Sequence, residues 1–397
     1  MKKLLKCTNT VVPALLLMLL TSFLQSCELG VTSRVKEPYK IGAVLSLTGG
    51  ASFLGNPEKN TLLMQTEIIN QQGGVDGHPL ELVIMDSQSD PEKASAAVEK
   101  LILEENVLAI IGPSTSGSSI EALPLSIKYE TPMISCASSH KIAQHMYIKR
   151  PYSWVFKVAQ SDSMAVEAIY AFMRSKGIKN IAVVSIKSGF GLSGMKELSQ
   201  YASEYGINIL GKEKYSKSEK NFKSMLKRLS ALNPQAIINW SIGPSQVEVV
   251  KAWKELGLQH IHLFQSHGFG SVKNIHSAGG AAEGVYLPLG AVNIAEILPH
   301  DHPQKEVTMR YSKNYKKRFN EPVNSFGGHA WDALNILVQA MEKAGADKNR
   351  IREEIENTNN FVGQGGVFNM SINDHNGLDR TAFNMIMVRN NTWALAE

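Results

Sequence analysis

The sequence predicts an α/β protein of two lobes, each a mostly parallel sheet flanked by helices, and three observations carry that prediction. From residue 39 onward, short apolar runs alternate with amphipathic segments, as strands sandwiched between helices require. Strand starts recur at roughly 25 to 40 residues in two successive series, about the size of one strand-helix-strand unit. The chain is 397 residues long, enough for two ordinary cores. With 43% hydrophobic, 19% charged and 7% aromatic residues, it has the composition of a globular domain rather than of a disordered or fibrous chain.

The first series begins with a strand over 41–45, and Asn56-Pro57-Glu58 then opens a helix, Asn as its cap and Pro in its first turn. Gly73-Gly74 ends that helix. A second strand over 80–85 precedes Asp90-Pro91-Glu92, which has the same capping chemistry. Strands over 107–111 and 132–135 flank a helix over 116–129, and the chain leaves the lobe over 153–158. The second series has a helix over 163–175 and strands over 181–185, 207–210, 236–239, 262–265 and 284–287. Helices over 305–319, 327–344 and 349–358 follow. The tail, with a strand-like run over 382–388 and the turn-rich Asn373-Asp374-His375-Asn376-Gly377, reads as an antiparallel hairpin.

The N-terminus reads as an export signal. Lys2, Lys3 and Lys6 precede an apolar stretch over 11–20 that is too short to span a bilayer and holds Pro13. Leu24-Gln25-Ser26-Cys27 follows, which resembles a bacterial lipobox with Gln25 in place of the usual small residue. Residues 1–26 are therefore a lipoprotein signal peptide, Cys27 the lipidated residue, and 27–38 a tether. Removing the signal, with three lysines and no acid, takes the formal charge from +5 to +2, and nothing in that scattered excess calls for nucleic acid. Of the three cysteines, Cys7, Cys27 and Cys136, Cys136 alone remains in the body, where no internal disulfide can form.

Little points to catalysis. Gly112-Pro-Ser114-Thr-Ser116 lacks the final glycine of a nucleophile elbow. His260-Ile-His262 and His300-Asp-His302 are joined by no cysteine or carboxylate pattern, so no metal is expected. Cys136 follows an apolar strand as a small buried residue would. No P-loop and no cofactor motif is present. In open α/β sheets, ligands sit beyond the carboxyl ends of strands, at helix N-termini. Ser114-Thr115-Ser116-Gly117 lies there after the third strand and Cys136-Ala137-Ser138-Ser139 after the fourth. The hydroxyls and amides of the first segment can hold a carboxylate without Arg or Lys.

Several segments together resemble the substrate-binding proteins of branched-chain amino acid ABC transporters: Ile41-Gly-Ala-Val-Leu-Ser-Leu-Thr-Gly49, Ile69-Asn-Gln-Gln-Gly-Gly-Val-Asp-Gly77, Asp86-Ser-Gln-Ser-Asp-Pro91, Ile111-Gly-Pro-Ser-Thr-Ser-Gly117, Phe190-Gly191 and Asp374-His-Asn-Gly377. The resemblance covers nearly the whole chain after residue 38 and implies a type I periplasmic-binding-protein fold with a hinged cleft. It implies lobes of residues 39–158 with 287–362 and 159–286 with 363–397, crossed near Val158, Tyr286 and Val362. It makes Ser116, Ala137 and Ser139, with Ser138 beside them, the carboxylate-binding positions, and Phe190 the aromatic ring that closes the cleft from the other lobe. It further implies a monomer, no enzyme, that delivers a small carboxylate to a permease pair.

Where this chain departs from the pattern, the ligand changes. The acid that binds an amino acid's ammonium falls at His267, and the expected tyrosines appear as Leu54 and Ile242, with Trp240 close by. An imidazole cannot replace that anion. An apolar or aromatic carboxylate is therefore expected in preference to leucine, isoleucine or valine. A branched-chain amino acid binder, or a ligand-sensing receptor domain of the same fold, is the alternative.

Overall fold

The computed structural model describes residues 36–144 and 153–396. The signal segment, Cys27 and all but the last residues of the tether lie outside the described residues. The described residues from 38 onward form one compact unit.

In the first lobe, strands β1 (Tyr39–Leu45), β2 (Leu80–Asp86), β3 (Ala109–Ile111), β4 (Met133–Ser135) and β5 (Val155–Lys157) form a sheet of order β2-β1-β3-β4-β5. All its pairings are parallel. Helices α1 (Ser52–Gln71), α2 (Pro91–Leu103) and α3 (Ser116–Lys128) connect the strands. Two cores result, one on each face, because the strands are apolar on both sides. Val98 and Leu101 of α2 pack with Ala122 and Leu123 of α3 on one face, and Leu62 of α1 packs on the other.

The second lobe opens with α4 (Asp162–Ser175) and continues with β6 (Asn180–Ile186), α5 (Gly189–Tyr201), β7 (Asn208–Tyr215), α6 (Phe222–Ser230), β8 (Ala236–Trp240), α7 (Ser245–Glu255), β9 (His262–Gln265), α8 (Val272–Ala278) and β10 (Tyr286–Leu289). The chain then returns to the first lobe. There α9 (Lys305–Phe319), α10 (Ser325–Ala344) and α11 (Lys348–Glu356) follow, with a small hairpin of β11 (Phe361–Val362) and β12 (Val367–Phe368). Leu334, Leu337 and Met341 of α10 and Ile351 of α11 complete the core that Leu62 begins. Finally β13 (Asn384–Arg389) and β14 (Thr392–Leu395) join the second sheet, of order β14-β13-β10-β9-β8-β6-β7. Their pairings are antiparallel and those among β6 to β10 parallel.

Three details differ from the reading of the sequence. Helix α1 starts at Ser52, so Pro57 lies inside it and Asn56 is no cap; the earlier turn is what carries Phe53 and Leu54 to the cleft. The segment Asn373 to Gly377 is a tight turn closed on the Asp374 side chain, which accepts from the Asn376 and Gly377 amides, and joins no pair of strands. The last passage between lobes lies near Ala382 and Phe383 instead of Val362, because Phe368, Met370 and Leu378 pack into the first lobe's core whereas Phe383 packs into the second's.

Candidate functional site

The carboxyl ends of the first-lobe strands and the matching end of the second lobe enclose a cavity of about 450 Å³, a size suited to a small organic ligand. On the first-lobe side, the Asp86 carboxylate holds the loop after β1, accepting from the Leu47 amide at 2.9 Å, the Thr48 amide at 3.2 Å and the Thr48 hydroxyl at 2.6 Å. That loop brings Gly50, Ala51 and the start of α1 to the cavity wall.

Serines after β3 have divided roles. The Ser114 hydroxyl accepts the Ser46 amide at 3.0 Å and donates to the Glu58 carboxyl, so it is spent on structure although the residue lines the cavity. Glu58 is buried, and burial pushes its pKa up to about 8 against the lowering effect of the Ser114 bond; at neutral pH it is a neutral acid. Thr115 caps α3, its hydroxyl accepting the Ser118 amide at 3.2 Å. Ser116 is the first helical residue, 4% exposed and on the cavity wall. Its hydroxyl has no hydrogen-bond partner among the described residues, and its amide, like that of Gly117, has no acceptor within the helix.

After β4, Ala137 and Ser138 line the cavity, but the Ala137 amide donates to the Ser135 hydroxyl at 3.1 Å. It is therefore not available to an anion. Ser139 departs further from expectation. It is fully buried and off the cavity wall, and its hydroxyl donates to Ser193 of α5 at 3.0 Å. Its place is in a bond between the lobes.

On the second-lobe side, Ser188 caps α5 by accepting the Gly191 amide at 3.1 Å, and Phe190 sits in the first turn, on the cavity wall. The segment is helical where Gly189 and Gly191 suggest a loop. Phe190 stacks on Trp240 with centroids 5.8 Å apart and meets the His267 ring edge-on at 5.2 Å. Trp240 is wholly buried behind this layer, pressed against Gly194, where a Cβ would fall 1.9 Å from the indole nitrogen. It supports the wall and does not line it. Leu54 and Ile242 both line the cavity, with Phe53 and Phe326.

His267 lies on the wall with Nε2 3.7 Å from the buried Asp162 carboxylate. Burial, with His329 and Lys157 nearby, pushes its pKa down to about 3. His329 of α10 also lines the cavity; its Nε2 lies 3.2 Å from the Gln160 side-chain oxygen, and burial pushes its pKa down to about 3. Both rings are neutral at ordinary pH. Asp162, behind His267, is raised by its own burial and Lys157 lowered by its own. Among the described residues no carboxylate lines the cavity, whereas Lys187 and Lys217 do. The Cys136 thiol is on the wall but pushed up by burial, which leaves little reactive thiolate. Among the described residues no group of side chains could hold a metal ion.

The sequence profile of the periplasmic binding protein family matches residues 38–389. The chain belongs to that family. Within it, the binding protein is similar to a leucine-, isoleucine-, valine-, threonine- and alanine-binding protein of Pseudomonas aeruginosa, 24% identical over 325 residues that make up 81% of this chain and 83% of that one. An extracellular ligand-binding receptor from Rhodopseudomonas palustris HaA2 has the same fold, with a TM-score of 0.83, 26% identity and coverage of 91% of this chain and 100% of that one. A branched-chain amino acid transporter substrate-binding protein from Streptococcus pneumoniae, solved with isoleucine, gives a TM-score of 0.78 at 20% identity over 91% of this chain and 99% of that one. The binding protein thus has the type I fold of the leucine/isoleucine/valine-binding group, whose members bind solutes and are not enzymes.

Phe326 and His329 were not anticipated as part of the cleft. Their spacing of three residues, just after the Asn324 cap whose side chain accepts the Gly327 amide at 3.1 Å, places both on one face of the first turn of α10. That spacing is the signal in the sequence that could have found them.

Proposed function

We propose that this chain is the substrate-binding lipoprotein of an ABC importer, capturing a small apolar or aromatic carboxylate by hinge closure and passing it to a permease pair. It acts as a monomer, exported and anchored to the membrane through Cys27. The observation that carries the ligand class is the unpartnered Ser116 hydroxyl on the cavity wall, at a helix N-terminus where an anion is favoured. The walls of Phe53, Leu54, Phe190, Ile242 and Phe326 suit an apolar body. The absence of a lining carboxylate among the described residues, with His267 and His329 neutral, leaves an ammonium group without a counter-charge and speaks against a standard amino acid.

A second reading, binding of a branched-chain amino acid, is favoured by the names of the relatives. A thermal-shift screen of the form lacking residues 1–27 separates the two. A ligand at about 100 times its dissociation constant stabilises by roughly 2.7 kcal/mol. Stabilisation by 4-methylpentanoate or 3-phenylpropanoate but not by leucine or valine is expected; the reverse order would restore amino acid uptake.

A further inference from the structure

Granting that a carboxylate occupies the cavity, as proposed above, the contact between the lobes says how it is held. Gly189, the first residue of α5, lies against the first turn of α3. A Cβ there would stand 2.9 Å from the Gly117 nitrogen, 3.1 Å from its Cα and 3.5 Å from the Ser116 carbonyl carbon. All three atoms belong to the opposite lobe. Two helix N-termini, each equivalent to about half a positive charge, are thereby abutted, an arrangement that is repulsive without an anion beside it.

Among the described residues no carboxylate lines the cavity to supply such an anion. Each cap satisfies one amide of the first turn, Ser118 in α3 and Gly191 in α5. The amides of Ser116, Gly117, Gly189 and Phe190 have no acceptor within their helices. Ser116, 4% exposed, lines the same space, and its hydroxyl has no partner among the described residues. The charged side chains on the cavity wall among the described residues, Lys187 and Lys217, are cationic.

We propose that the ligand's carboxylate is shared by the first turns of α3 and α5, so that the anion itself locks the lobes together, and that the missing side chain of Gly189 is what permits the closure. Specificity for a negative charge then resides in the closed state. An uncharged isostere of the ligand leaves the lobes apart.

The test uses the chain freed of residues 1–27, whose body is one compact unit, with titration calorimetry and small-angle scattering. The probes are 4-methylpentanoate, 3-phenylpropanoate and their carboxamides, on the wild type, on Gly189→Ala and on Gly280→Ala, a control glycine with open space around it. The wild type and Gly280→Ala are expected to contract on adding the carboxylates and not the carboxamides, which bind at least tenfold more weakly. Gly189→Ala is expected to melt like the wild type, bind the carboxylates at least tenfold more weakly and fail to contract. Contraction with a carboxamide, or an unimpaired Gly189→Ala, overturns the shared clamp while leaving carboxylate binding intact. If no carboxylate binds the wild type, the proposed function falls and the clamp with it.

Discussion

At the scale of single residues, Ser116 and Glu58 differ in what they bond: the Ser116 hydroxyl has no hydrogen-bond partner among the described residues, whereas the Glu58 carboxyl accepts from Ser114. Because the Ser116 hydroxyl has no hydrogen-bond partner among the described residues, Ser116→Ala should leave the unfolding midpoint unchanged within error. It should weaken the carboxylate about 10- to 100-fold, since a hydrogen bond to a charged group contributes about 1.5–3 kcal/mol; calorimetry with 3-phenylpropanoate reads this directly. Glu58 behaves in the opposite way. Its pKa is about 8 in the fold against 4.5 in the free side chain, so between those values the folded chain keeps a proton that the unfolded chain has lost. Its contribution to stability is therefore fully present below pH 4.5 and is lost as pH rises toward 8, at about 1.4 kcal/mol per pH unit. Glu58→Gln should remove that slope, and urea unfolding at pH 5, 6.5 and 8 should find the variant gaining on the wild type as pH rises. The place of Ser116, at a helix start beyond a strand, was legible in the sequence. Ser139 and Trp240 lie off the cavity wall, where their contacts are with Ser193 and Gly194, some 50 residues away in sequence and invisible to local pattern.

At the scale of elements, capping chemistry was legible at α2 and periodicity at α9. Asp90 caps α2, its side chain accepting the Lys93 amide at 3.0 Å, and the bounds read for the helix over 305–319 are those of α9. Propensity misled where tertiary contacts overrule it, as in α1, which runs through Pro57. Helix α10 has a further task. Asp332, fully buried, accepts the Gln364 amide at 2.6 Å and the Gly365 amide at 2.7 Å, fastening the turn between β11 and β12 to the helix. Its carboxyl is raised by burial although both amides oppose the shift. Asp332→Ala strands two buried amides, each costing about 1–3 kcal/mol. Equilibrium urea unfolding should show a loss of several kcal/mol, with Asp332→Asn retaining part of it.

At the scale of the whole molecule, a few side chains tie together the connections between the lobes. Gln160 donates to the Gly365 carbonyl at 2.9 Å and faces His329, which links a connection to the cavity wall. Lys157 donates to the Ala159 carbonyl at 2.5 Å, to Ser161 at 3.0 Å and to Asn376 at 3.3 Å, and Asn376 donates back to the Lys157 and Ala159 carbonyls at 3.1 Å each. The turn at Asn376 thus braces the first connection, a partnership across 219 residues that no periodicity could reveal. The two-lobed α/β layout was legible from alternation alone, since it repeats in every unit; which segment returns to which lobe was not.

That interlaced path also governs how the molecule comes into being. The first lobe's sheet is complete by Lys157, yet one of its faces, covered in part by Leu62 of α1, is closed only when α10 and α11 arrive much later in the chain. The second lobe in turn waits for β13 and β14 at the very end of the chain to flank β10. A growing chain therefore has no finished half to fold early, and the long sequence separation of these contacts makes assembly slow and late. The two lobes are therefore expected to form, and to melt, together.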